Sequence, residues 1–140
     1  DHILIIDHLS MVSVQNIVSK YKFADKITVI RCERPSPVKH YIMNEIVLPY
    51  MKKQQADWFI HLDGDEYLNL NNKFNTVHEF IDTFPTHIEQ LCINWLMFGS
   101  NNLDKILSSS CIDDYTRCQK NMDTTVKCFV RTKRNPDGGG

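Results

Sequence analysis

Asp63-Gly64-Asp65-Glu66 sets two carboxylates one residue apart with a third directly behind them. Two such side chains at a strand end, with a glycine between them that lets the backbone turn sharply, can converge on one hard cation through oxygen ligands. Mg²⁺ and Mn²⁺ suit such a pair, because they take one or two protein carboxylates and fill their shell with water and phosphate oxygens. The expected cofactor is therefore Mn²⁺ or Mg²⁺ on Asp63 and Asp65, with a diphosphate supplying the remaining oxygens. A cation bridging two phosphates neutralises the charge that builds as the bond to a leaving nucleotide breaks. The same four residues also read as a solvated acidic turn, since Asp and Gly are common turn formers.

Two other cation or phosphate chemistries can be tested on the residues. A calcium-binding EF-hand loop starting at Asp63 needs glycine sixth and glutamate twelfth, where this chain has Leu68 and Phe74. That reading fails. A haloacid-dehalogenase-like phosphatase uses D-x-D as nucleophile and general acid. It wants Thr or Val two residues beyond the second Asp, where Tyr67 stands, and it wants the motif near the domain start. Asp113 and Asp114 are candidates for a general base toward an acceptor hydroxyl, although their spacing does not demand it. His61 reads as a satisfied sheet residue, and Trp95 and Phe98 as core.

The elements that must position these groups follow from periodicity. Ile3 to Ile6 is an apolar strand ending in Asp7, and Val14, Ile17, Val18 and Tyr21 recur at helical spacing. Lys26 to Cys32 is a β-branched strand that stops before Pro35 and Pro37. From Val38 to Gln55, Ile42, Met43, Ile46, Val47, Tyr50 and Met51 form one helical stripe, in which Pro49 predicts a kink or break near Val47. Trp58 to Leu62 is a short strand that delivers the acidic turn at its C-terminal end. Thr76 caps a helix reaching Phe84, with Glu79 completing an approximate capping box. Gln90–Leu96 and Val126–Arg131 read as strands, separated by a long loop from Gly99 to Asp123. Strand–helix alternation predicts an α/β fold with βαβ units and a mostly parallel sheet flanked by helices, with ligands outside the carboxyl ends of its strands.

The whole chain narrows the field. Its 140 residues, 42% hydrophobic and 24% charged, suit one globular domain with a real core. A net charge of −1 gives no global attraction to nucleic acid or anionic membrane, so a polyanion must be held by a local site. No apolar run approaches the roughly 20 residues that span a bilayer. The five cysteines form no C-x-x-C pair and are expected to be reduced and mostly buried, with Cys111–Cys118 the one bridge considered. Both ends read as cut, the last on Asn135 to Gly140, so a fragment is expected. Reduced thiols and the lack of a glycosylation sequon fit a cytoplasmic site of action, and the Ile-, Asn- and Lys-rich composition an AT-rich genome, viral or parasitic.

Asp57-Trp58-Phe59-Ile60-His61-Leu62-Asp63-Gly64-Asp65-Glu66-Tyr67-Leu68 resembles the D-W-x4-D-x-D-E-F-L signature of family-2-like and family-92-like glycosyltransferases of the GT-A type, with Tyr67 in place of Phe. Ile5 to Ser10 is similar to the strand-end D-N-x-S-x-D of that fold, with His8 and Val12 replacing the Asn and second Asp. Asn94 to Ser100 resembles its W-x-x-F-G-S turn, and Val126 to Arg131 its K-x-I-v-R strand. The resemblance implies a Rossmann-like GT-A nucleotide-diphospho-sugar transferase fold, truncated at both ends. Its nucleotide-binding half would cover about residues 1–68 and its acceptor side about 69–134.

By the same resemblance, Asp7 would contact the nucleotide base, Lys39 the diphosphate, and Asp63 and Asp65 the ribose and metal, with Glu66 supporting them in the metal set. The implied function is metal-dependent transfer of a sugar from a UDP- or GDP-sugar to a hydroxyl of a glycan, protein or small molecule. The alternatives are the phosphatase and a catalytically inactive sugar-nucleotide-binding fragment.

Overall fold

The computed structural model describes residues 2–132 except 106 and 109, and the expected chain end from Asn135 lies outside the described residues. The elements run β1 (Ile3–His8), α1 (Val14–Val18), β2 (Ile27–Cys32), α2 (Lys39–Tyr41), α3 (Leu48–Gln54), β3 (Trp58–Ile60), α4 (Val77–Ile81), β4 (Gln90–Asn94), α5 (Cys111–Asp114) and β5 (Val126–Arg131). They divide into two compact units, Asp1–Gln55 and Ala56–Gly140.

In the first unit β1 and β2 pair in parallel, in register from Ile3 opposite Ile27 to His8 opposite Cys32. The connection between them carries α1, whose first turn is capped by the Ser13 hydroxyl accepting from Asn16 N–H. This is the expected β-α-β unit, and it carries the Asp7 end of β1 beside Arg31 of β2. The long stripe after Val38 forms one run of right-handed helix, α2 and α3 joined by a π-helical stretch from Ile42 to Val47. The π turn answers Pro49, which follows it at the start of α3. Leu48 N–H reaches back five residues to Met43 O, so the chain widens where the proline would clash with the preceding turn instead of breaking. Tyr50 of α3 donates from its hydroxyl to Thr28 Oγ1 at 2.9 Å and stacks on His2, tying the helix to the starts of β1 and β2.

The second unit corrects the expectation of a mostly parallel sheet. Its three strands are ordered β3-β5-β4, and β5 is antiparallel to both neighbours. β3 and β4 therefore run parallel to each other, with α4 in their connection, but the last strand has inserted between them. After β4 the chain carries no long crossover helix among the described residues, only the four-residue α5, and β5 returns antiparallel. Among the described residues, parallel pairing is thus confined to β1 and β2.

Phe129, at the middle of β5 and 3% exposed, is the centre of this unit. Phe80 of α4 lies 6.1 Å from its ring and makes edge contacts with Phe74 and Phe84, so an aromatic cluster seats the helix on the strands. The Thr76 cap forms as expected, its hydroxyl accepting from Glu79 N–H. Glu79 reaches back to Asn75 N–H, one residue before the usual capping-box partner. The core is thinner than composition predicts: among the described residues the buried apolar side chains are Val18, Cys32, Val38, Leu91 and Phe129. Phe98, expected in the core, is 51% exposed.

Among the cysteines only Cys32 is buried, and Cys111 meets the Tyr67 hydroxyl rather than Cys118. The close pair is Cys92 and Cys128, opposite each other on β4 and β5 with sulfurs 3.0 Å apart. Contact with Cys128, reinforced by partial desolvation between the strands, raises the Cys92 thiol pKa, which slows oxidation near neutrality. Incubation with oxidised glutathione at mildly alkaline pH is expected to join these two, each thiol losing a proton and the pair passing two electrons to glutathione. Intact mass should fall by two hydrogens, and peptide mapping should return Cys92 linked to Cys128. A Cys111–Cys118 peptide in its place would contradict the strand register.

Candidate functional site

β3 ends at Ile60, and His61 and Leu62 lead, exposed, into the acidic turn, so His61 is not the sheet residue expected. The turn closes by Glu66 N–H donating to Asp63 O at 3.1 Å, while Glu66 Oε2 accepts from Asp63 N–H at 2.7 Å. Gly64 has no left-handed φ and nothing within 4 Å of where a Cβ would stand, so the turn does not depend on glycine.

A cation reaches the turn from β5. Lys127 Nζ lies 2.9 Å from Asp63 Oδ2 and 2.9 Å from Glu66 Oε2, with the Trp95 ring centroid 5.6 Å away. The antiparallel register explains its arrival. Ile60 stands opposite Phe129, so two residues further along β3 and two back along β5 bring the acidic turn alongside Lys127. Burial is the largest single influence on the ammonium and disfavours its charge, but the hydrogen bonds and charges of Glu66 and Asp63 together raise its pKa. Lys127 is thus a fixed positive charge.

Whether a divalent ion fits here is decided by the donor set. Among the described residues no three His, Cys, Asp or Glu side chains are grouped to hold a metal ion. Glu66, expected in the metal set, directs its Oε2 to Asp63 N–H and Lys127, and so braces the turn. The Asp pair remains. Asp65 is exposed and stands outside the Lys127 network, and the Asp63 side chain is 47% exposed. Hard oxygens from one or two carboxylates, completed by water and phosphate, match the needs of Mg²⁺ or Mn²⁺, so the residues fit that group.

Tyr67 next to the turn hydrogen-bonds to Cys111 Sγ at 2.9 Å, which links the turn to α5 and its two candidate bases. They differ sharply. Asp114 is buried, and its Oδ2 accepts from Leu107 N–H at 2.9 Å and Ser108 N–H at 3.1 Å. Hydrogen bonding from Ser108, ahead of the opposing effect of burial, holds its carboxyl below the usual range. Such a group organises its loop and is a poor base. Asp113 is exposed, so the candidate base narrows to it. The base of the long loop is pinned by a bridge between Phe98 and Cys118, and by Gly99 N–H on Arg117 O.

In the first unit, Asp7 is 4% exposed with both oxygens engaged. Ser10 N–H meets Oδ1 at 3.2 Å, and Arg31 Nη1 meets Oδ2 at 3.0 Å and Ser10 O at 3.1 Å. Hydrogen bonding from Ser10, opposed by burial and reinforced by Arg31, keeps the carboxyl below its ordinary pKa. A depressed folded-state pKa contributes stability that is present above the ordinary carboxylate value of about 4 and is lost as pH falls through the folded value. Melting temperature is therefore expected to drop on acidification below about pH 4, with a shallower drop in Asp7→Asn. Identical pH profiles would show that this pair does not contribute. Lys39 is exposed at the first position of α2. Nearby, Arg34, Pro37, His40, Tyr41, Asn44 and Glu45 line an open recess of about 380 Å³, with the Arg34 guanidinium over the Tyr41 ring.

Sequence reasoning assigned no role to Lys127 or Arg31. The available signal was weak: each is a charge within a largely apolar strand, which costs free energy unless a partner waits nearby.

The first unit thus holds a parallel β-α-β unit and the second an acidic turn after a strand, within a mixed α/β chain. The chain belongs to glycosyltransferase family 92, whose family model matches residues 1–135. It is a glycosyltransferase, an enzyme that moves a sugar from a donor to an acceptor. Neither curated proteins nor solved structures provide a match to it. No helix among the described residues is long and apolar enough to cross a membrane.

Proposed function

We propose that this chain is a GT-A-like, metal-dependent glycosyltransferase that takes its sugar from a nucleotide-sugar donor and transfers it to an acceptor hydroxyl. The observation that carries the reading is the acidic turn of a family 92 chain, in which Lys127 holds Asp63 and Glu66 while Asp65 stands exposed. A divalent ion bound on Asp65 and Asp63 would supply Lewis-acid stabilisation of the leaving diphosphate. Glu66 keeps the turn in shape through its bond to Asp63 N–H. Asp63 is the carboxylate assigned to the donor ribose and Lys39 the ammonium assigned to the diphosphate, while Asp7 would meet the base only by exchanging its bond to Ser10 or Arg31. Asp113 is the group on α5 that can take the proton of the attacking hydroxyl. On this reading residues 1–68 form the nucleotide side and about 69–134 the acceptor side.

Calorimetric titration with UDP and GDP, with and without Mn²⁺, tests it. Binding that requires Mn²⁺ and prefers one base supports the reading and justifies a screen of donor sugars. Absence of nucleotide binding under all conditions overturns it. Phosphate release from a phosphomonoester, with phosphate trapped on Asp63, would replace it with the phosphatase alternative. Metal-dependent binding without sugar transfer would leave the inactive binding fragment.

A further inference from the structure

We propose that Lys127 is the built-in cation of the acidic turn and makes metal binding depend on the donor diphosphate, a reading that rests on the metal site proposed above. The ammonium lies 2.9 Å from an oxygen of each of Asp63 and Glu66, and the Lys127 and Glu66 side chains are both only 18% exposed. These are the distances of charge-assisted hydrogen bonds, and the Trp95 ring flanks the ammonium on another side. Its neighbours are therefore two carboxylates and an aromatic face, with limited access to water. Lys127 arrives from β5, where it stands opposite Ile93 of β4, 64 residues from Asp63 in sequence, and its ammonium is held by the two carboxylates it meets.

The consequence is electrostatic. A dication on Asp65 and Asp63 sits next to a fixed positive charge that already neutralises one carboxylate and occupies Asp63 Oδ2. Repulsion at such short range weakens metal binding by the turn alone. A donor diphosphate adds negative charge and supplies phosphate oxygens, which tips the balance toward the metal. Lys127 thereby makes the turn take metal and diphosphate together and discriminates against metal alone. Glu66 and Lys127 are positioning residues, and Asp65 is the ligand that they leave open.

The test is Mn²⁺ binding in the absence of nucleotide, read by electron paramagnetic resonance of the free ion. Lys127→Met keeps the length and the apolar contact with Trp95 while removing the charge. It is expected to bind Mn²⁺ at least about tenfold more tightly than the parent, whereas Lys127→Arg should bind as weakly as the parent. Lys127→Gln provides a second uncharged variant should the methionine fail to fold, with folding checked by circular dichroism. Adding Asp65→Ala to either uncharged variant should remove the gain. Equal or weaker Mn²⁺ binding in both uncharged variants, still dependent on Asp65, overturns the role of Lys127 and leaves the metal site standing. No Mn²⁺ binding in any variant removes both.

Discussion

Asp65→Ala is expected to abolish the Mn²⁺-dependent part of nucleoside diphosphate binding while leaving the melting curve of the protein unchanged. The residue is exposed and takes no part in the network by which Lys127 joins Asp63 to Glu66, so its removal leaves the turn intact. What it removes is the carboxylate still open to a hard cation. The affinity gained by adding Mn²⁺ should fall by at least about a hundredfold, or roughly 2.8 kcal/mol at 25 °C. Calorimetry on parent and variant with the same diphosphate, with and without the metal, reads the effect. Equal affinities would remove the metal assignment from this turn. An equal loss with and without Mn²⁺ would make Asp65 a contact to the nucleotide itself.

Phe129→Ala should produce the largest loss of stability. The side chain is 3% exposed at the centre of β5, between β3 and β4 and against Phe80, so truncation leaves a cavity with a strand pair on either side. Such substitutions cost about 3–5 kcal/mol, a large share of the 5–15 kcal/mol by which domains are stable. Both tryptophans, Trp58 and Trp95, lie in the second unit, so intrinsic fluorescence during urea unfolding reports on the unit that Phe129 supports. The midpoint should shift strongly at constant slope. Phe98→Ala serves as the comparison: its ring is 51% exposed, and the change should stay within about 0.5 kcal/mol. Similar losses at the two positions would place the core elsewhere.

Much of this molecule was legible in local pattern. Apolar and β-branched runs located all five strands to within a few residues, and Thr76 marked a helix start that the structure caps as expected. Pro49 announced an irregularity in the long helix, and the apolar run from Trp58 placed the acidic turn just after a strand. Such features are properties of φ/ψ preference, side-chain period and ligand chemistry over a few residues, which a sequence carries without knowing its neighbours in space.

Tertiary structure decided the rest. Alternation along Val126–Arg131 says that a strand forms there, but a period of two has no direction, and only pairing with β3 and β4 made it antiparallel. The same pairing turned Lys127 from a solvated strand lysine into the partner of Asp63 and Glu66. It also set the two thiols of Cys92 and Cys128 face to face. Parallel pairing of β1 with β2 brought Arg31 to Asp7 across 24 residues. Asp113 and Asp114 are indistinguishable by type and position in the chain, yet one is exposed and the other buried against Leu107 and Ser108. A charge acquires its role from the charges and dipoles within a few ångströms, and for residues far apart in sequence those neighbours exist only once the chain has folded.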